Sequence, residues 1–202
     1  MRCILLSLTA SLLLSLPGGA APEARERSVD PMTATTHWQL GGRRINYVLG
    51  QSAVSVSQEQ VRPGSTASLK LAYDFREPRR DYLSAYWTGD PLPGRCESVS
   101  FWLFGDGLGR PLSLAIEDAN GRWYRRTVGV VDWEGWQQVT VPVGAGQDWR
   151  ALRRRGEAEQ ALVHPVWMRQ IALGRGTATV LQGAVYLSDL CAVTVADPMD
   201  FV

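Results

Sequence analysis

Ser98 to Val143 reads SVSFWLFGDGLGRPLSLAIEDANGRWYRRTVGVVDWEGWQQVTVPV. Apolar and polar residues alternate through it: Val99, Phe101 and Leu103 fall on one side, then Leu112, Leu114 and Ile116. Successive strand side chains point to opposite faces, so each row predicts the inner face of an antiparallel strand. Gly105, Gly107 and Gly109 sit between those strands beside Asp106, in a spacing that superficially suggests a phosphate or metal cradle. A phosphate loop needs a strand followed by a helix and usually a lysine. Neither follows here, so the glycines read as a hairpin turn and Asp106 as a partner of turn amides. Asn120-Gly121 marks a second hairpin with the type I′ signature, flanked by Asp118.

The same period of two extends outward from this stretch. Ala67 to Phe75 (ASLKLAYDF) places Leu69, Leu71 and Tyr73 on one side, and further strands are expected at Trp123–Val130, Gln137–Val143, Arg169–Leu173 and Gly183–Val195. Turn signals separate them, among them Arg62-Pro63-Gly64, Asp90 to Gly94 and Gly144 to Gly146. Many short strands with few helix signals predict an all-β fold, a single antiparallel β-sandwich or jelly roll over residues 37–196. One short helix is expected near 148–162, where Asp148 can cap a turn and Trp149 and Leu152 share a face. Its basic run Arg153 to Arg155 is answered by Glu157 and Glu159, which reads as a solvated face rather than an anion site.

The ends and the composition narrow the function classes. Met1 to Ala20 has a charge at Arg2, an apolar run to Leu16, a Pro17-Gly18 breaker and small residues at its close, the layout of a cleaved secretory signal. The run is shorter than the roughly 20 residues that cross a bilayer, so no membrane span is expected after signal removal and the product is read as secreted or periplasmic. Residues 21–36 are polar, with two prolines, and read as a flexible leader; residues 197–202 read as a tail. A net charge of +1 calls for no nucleic-acid partner. Cys3 leaves with the signal, and the remaining Cys96 and Cys191 are compatible with one disulfide or with two buried thiols.

Three segments together resemble the galactose-binding-like jelly-roll superfamily, which includes many bacterial carbohydrate-binding modules. They are GSTASLKLAYDF (Gly64 to Phe75), the Ser98 to Val143 stretch with its Gly-Asp-Gly and Asp-x-x-Gly turns and Trp133-x-Gly-Trp136 entry, and GAVYLSDLCAV (Gly183 to Val193). The likeness covers about Trp38 to Val195. It implies a jelly roll, a polysaccharide or glycan as partner, and core positions for Trp133 and Trp136. It also implies a structural calcium ion between the first and last strands. Asp189 keeps one of two expected carboxylates, Ser188 stands in place of the other, and Asp30 and Glu26 are the leader's possible partners. One fewer carboxylate weakens a site for a hard cation.

A sugar ring packs its C–H face on an aromatic side chain while polar neighbours bond its hydroxyls. The candidate ligand residues are Tyr82, Tyr86 and Trp87 in DYLSAYWTGD, and Tyr124 and Arg126 in GRWYRR, where aromatics mix with charge. Neighbouring residues cannot share a face, so one of Tyr86 and Trp87, and one of Trp123 and Tyr124, belongs to the core. An inward Leu83, Ala85 and Trp87 sets Tyr82, Ser84 and Tyr86 on the outer sheet, with Tyr124 and Arg126 as candidates to join them. The same residues also fit cross-strand pairs on a wet face. His37 and His164 lie in no nucleophile or metal spacing, and Glu117-Asp118 diverge on a strand, so no catalytic set is nominated. A non-catalytic carbohydrate-binding module is the leading expectation, and a structural or adhesion role toward a surface protein is the alternative.

Overall fold

The computed structural model describes residues 24–41, 52–76, 82–144, 148–152 and 161–195. The signal segment, residues 21–23, the tail and the greater part of the expected helix lie outside them. The strands are β1 (Ala24–Asp30), β2 (Trp38–Gly41), β3 (Ala53–Ser57), β4 (Ser68–Asp74), β5 (Tyr82–Trp87), β6 (Arg95–Asp106), β7 (Arg110–Glu117), β8 (Trp123–Val131), β9 (Glu134–Pro142), β10 (Arg150–Ala151), β11 (Trp167–Gly174) and β12 (Gln182–Val195). They form two antiparallel sheets, an all-β sandwich. The back sheet runs β3-β4-β12-β6-β9, with β1 also paired to β12, and the front sheet runs β10-β8-β7-β11-β5-β2.

The core lies between the inner faces. Leu69, Leu71, Val99, Phe101, Leu103, Val185 and Leu187 come from the back sheet, and Leu83, Trp87, Leu112, Leu114, Ile116, Ile171 and Leu173 from the front. These are the rows that alternation picks out. Burying each such side chain contributes roughly 1.5–3 kcal/mol relative to leaving it in water. Trp38 and Trp87 pack together at the β2 edge, ring centroids 4.9 Å apart.

Several sequence expectations are corrected. Residues 24–30 are not a free leader: β1 pairs with β12 from Ala24↔Val195 to Asp30↔Leu190. Its first five side chains are exposed, so it joins through backbone hydrogen bonds and leaves no hydrophobic period to read. At 148–152 there is no helix; Arg150 and Ala151 add a short edge strand opposite Arg125 and Tyr124, and Trp149 Nε1 donates to the Pro142 carbonyl at 2.9 Å. The glycine loop after β6 is a crossover, not a hairpin. Asp106 pairs with Glu134 in the back sheet and Arg110 with Val131 in the front. Gly107 and Gly109 supply the positive φ (71° and 66°), and Asp106 Oδ1 accepts the Leu108 amide at 3.1 Å, so the loop is a turn without phosphate-cradle geometry. At the second turn only Gly121 has positive φ, and its amide donates to the Asp118 carbonyl. That is a type I turn followed by a left-handed glycine rather than type I′.

Cys96 and Cys191 are unbridged. Cys96 lies opposite Thr194 and is buried in the core, whereas Cys191 lies opposite Ser100 three positions away on β12. That offset is about 10 Å at 3.3 Å per residue, beyond disulfide reach. Burial pushes the Cys96 thiol up to about 12. Adding reductant is therefore expected to leave the melting temperature of the oxidised protein unchanged, which a thermal melt with and without dithiothreitol checks.

Asp74, at the end of β4, is 1% exposed. Its carboxylate takes Arg76 Nη2 at 2.6 Å and Gln182 Nε2 at 3.0 Å. The hydrogen bonds from Arg76 hold its pKa down to about 2. A depressed carboxylate adds stability that is full above its unfolded value, roughly 3.9, and is lost as pH falls toward 2. Asp74→Asn is thus expected to melt lower than the parent at pH 6, with the gap closing between pH 4 and pH 2 in paired thermal melts.

Candidate functional site

The register of the front sheet arranges its outer face in rows. One row is Trp123, Glu117 and Trp167. The next is Arg150, Arg125, Ala115, Gln170, Tyr86 and Gln39. The third is Thr127, Ser113, Ala172, Ser84 and Gly41, beyond which Tyr82 pairs with Gly174. Tyr82, Tyr86, Trp123 and Trp167 are all partly exposed. The middle of the face holds small residues, and a Cβ on Gly41 would meet Ser84 Oγ at 2.7 Å. A low floor between aromatic side chains results.

Ala115, in the row of Tyr86 on the intervening strand β7, is small, and the rings of Tyr86 and Trp123 come together across the sheet. Their centroids are 6.1 Å apart and their planes 16° from parallel. Arg125 extends across the same floor to lie 5.1 Å from the Tyr82 ring centroid. Arg169 lies 5.6 Å from the Trp167 ring and is paired with Glu117 at 2.6 Å. Buried polar groups are nearly always hydrogen-bonded in folded proteins. On this face Ser84 Oγ, Arg125 Nε and Gln170 Oε1 are buried and lack a partner. Three unmet groups of different kinds, a hydroxyl, an N–H donor and a carbonyl acceptor, thus sit among the four aromatic side chains.

Of the residues singled out in the sequence, Tyr82 and Tyr86 lie on this face. Trp87 and Tyr124 do not: they are 3% and 4% exposed, in the core. Arg126 shares the inward row of Leu114 and gives Nη1 to the Pro142 carbonyl at 3.1 Å. Tyr124 instead donates to buried Asp118 at 3.3 Å. Their places outside are taken by Trp123 and Arg125. Sequence reasoning missed this phase because a β-bulge at Leu112/Ser113 shifts the β8 pairing: Val131 and Tyr124, seven residues apart, both point inward. It missed Trp167 as well, since the apolar run becomes regular only after the bulge at Met168/Gln170.

The pair proposed for calcium does not fit a cation. Asp30 and Asp189 are neighbours where β1 meets β12, but Asp189 Oδ2 is held by Arg62 Nη2 at 2.6 Å, Arg62 Nε at 2.8 Å and Ser188 at 2.8 Å. Asp30 Oδ1 accepts the Met32 amide at 2.5 Å. The Arg62 guanidinium supplies the positive charge that Asp189 needs. Among the described residues no group of three His, Cys, Asp or Glu converges.

The outer face of the back sheet carries a second aromatic group. Phe104 packs edge-on to Trp136 at 5.6 Å and to Tyr186 at 5.9 Å, so Trp136 is a surface residue rather than a core one; Trp133 packs against the core. Polar groups here meet one another: the Tyr186 hydroxyl and Lys70 Nζ both bond Glu59. Arg62 lies 5.1 Å over Trp102.

No protein-family model matches the chain, and no curated protein matches it in sequence. Solved structures do match in fold. The family 11 carbohydrate-binding module of a cellulosomal cellulase from Clostridium thermocellum superposes with a TM-score of 0.53 at 12% identity, covering 87% of this chain and 98% of that one. A family 11 module from the same organism, in complex with a β-1,3-1,4-mixed-linked tetrasaccharide, gives 0.50 at 13% identity, covering 89% and 99%. The fold is therefore the jelly roll of these carbohydrate-binding modules.

Proposed function

We propose that the chain is an exported, non-catalytic carbohydrate-binding module that engages a polysaccharide on the outer face of the front sheet. The observation that carries this is the coincidence of Tyr82, Tyr86, Trp123 and Trp167 with the unmet groups Ser84 Oγ, Arg125 Nε and Gln170 Oε1. Aromatic side chains desolvate the apolar side of a pyranose, and the unmet donor and acceptor require partners that sugar hydroxyls provide in both senses. The shared fold with modules that include a tetrasaccharide complex supports the reading. The layout of Met1 to Ala20 supports export. Affinity electrophoresis through gels containing soluble polysaccharides tests it. Retardation by at least one polymer is expected, and unchanged mobility across a broad panel would sink it.

The aromatic group of Trp136, Phe104 and Tyr186 on the back sheet favours a second reading, a protein partner at the cell surface. The Tyr186 hydroxyl already bonds Glu59 within the chain, so the group offers mainly apolar contact.

A further inference from the structure

We infer that the front-sheet face selects an acidic polysaccharide, with Arg125 receiving the carboxylate of a uronic acid ring and Arg150 adding positive charge on the same face. The inference rests on the glycan-binding reading and adds the chemical class of the ligand. Arg125 and Arg150 are directly opposite each other in the β8–β10 register. Like charges at facing positions repel, and the Arg125 guanidinium lies away from β10, over Tyr82 of β5; an anion on this face offsets both charges.

The other arginines bordering this sheet show what a settled guanidinium looks like. Arg169 is neutralised by Glu117 at 2.6 Å, and Arg126 is turned inward onto a backbone carbonyl. Arg125 has neither arrangement. Among the described residues no carboxylate pairs with it, and its Nε is buried without an acceptor while its guanidinium lies over Tyr82. The one carboxylate in the rows of this face, Glu117, is already engaged by Arg169. Among the described residues no carboxylate is bonded to Arg125 or to Arg150, which leaves two positive charges on one face of a chain whose net charge is +1.

A planar guanidinium presents parallel N–H donors that match a carboxylate, and such charge-assisted pairs are about twice as strong as neutral ones. The remaining features decide what must carry that carboxylate. Gln170 Oε1, in the same row, lacks a donor, which a simple carboxylate ion does not bring. The stacked rings of Tyr86 and Trp123 call for an apolar ring face. An oxyanion, a hydroxyl donor and a C–H face within one ring describe a hexuronic acid.

The test uses the full chain and polymers that differ in a single group. Polygalacturonate, alginate and a glucuronic acid polymer are each compared with their carboxyl-reduced, neutral counterparts by affinity electrophoresis or calorimetry, at low and high salt. At least one acidic polymer is expected to bind about tenfold tighter than its reduced form at low salt, one charge-assisted contact's worth, with the preference shrinking at high salt. Arg125→Gln is expected to bring acidic and reduced forms within about twofold of each other. Arg125→Lys, which keeps the charge but not the fork, restores only part of the preference. Trp123→Ala weakens both forms alike.

Equal binding of acidic and reduced polymers overturns this inference and leaves the glycan-binding reading intact. Absence of binding to every polymer overturns both. Dextran sulfate serves as the control for charge alone: binding to it that matches the polyuronate and survives Trp123→Ala overturns the assignment of a carboxylate ligand. Thermal melts of the two Arg125 variants confirm that a lost preference is read on folded protein.

Discussion

Trp123→Ala and Tyr86→Ala are each expected to weaken glycan binding by about thirtyfold, the ~2 kcal/mol typical of a dominant interface aromatic, while melting within a few degrees of the parent. Trp87→Ala, adjacent to Tyr86 in sequence, is expected to behave in the opposite way. Its ring is in the core against Trp38 and His37, and Nε1 donates to the Asp90 carbonyl at 3.2 Å. Removing it leaves a cavity that costs about 3–5 kcal/mol, or about 10 °C or more in melting temperature. Any variant protein that remains folded keeps its affinity. Calorimetry and thermal melts on the three variants separate the roles. A Trp87→Ala protein that is stable but blind to glycan would reverse the assignment of faces.

The second large effect lies away from the face. Arg110 is completely buried. It gives Nη1 to the Arg175 carbonyl at 3.0 Å and Nη2 to the Val180 carbonyl at 2.5 Å, and Nε lies 3.6 Å from Asp106. Its guanidinium is 4.0 Å from the centre of the Tyr73 ring. The Tyr73 hydroxyl donates to Asp106, and burial first, then that carboxylate, raise the phenol to about 12. This network ties the crossover after β6 to the segment before β12. Arg110→Ala leaves a partly buried carboxylate and two carbonyls without their cation. A loss of about 3–5 kcal/mol is expected, read as a fall in denaturation midpoint with unchanged glycan affinity in the protein that stays folded. Arg110→Met keeps the bulk but not the donors and is expected to recover only a small part. A midpoint equal to the parent's in both variants would contradict the account of the network.

How far the sequence reveals these roles depends on what kind of force holds each element. Strands that bury one face, such as β4, β6 and β7, are legible because Leu69, Phe101 and Leu114 recur with period two. β1 is not legible, because its first five side chains are exposed and carry no burial signal, and backbone pairing with β12 places it. Arg110 is hidden for a different reason: GLGRPL reads as a polar turn, and nothing local shows that distant carbonyls at 175 and 180 enclose the guanidinium. The site is half legible. Leu83, Ala85 and Trp87 fix the phase of β5 and so place Tyr82 and Tyr86 outside. On β8 the bulge breaks the phase, so Trp123 and Arg125 exchange places with Tyr124 and Arg126. Asp189, which the resemblance implies as a calcium ligand, bonds the Arg62 guanidinium.

The most direct test of the central claim is backbone amide chemical-shift mapping of the labelled protein on titration with an oligosaccharide cut from a polymer that retards it. The largest shifts are expected along the front-sheet rows, at Tyr82, Tyr86, Trp123, Arg125, Trp167 and Gln170, with the Trp123 and Trp167 indole signals moving in step. Shifts concentrated instead at Phe104, Trp136 and Tyr186 on the back sheet would contradict it.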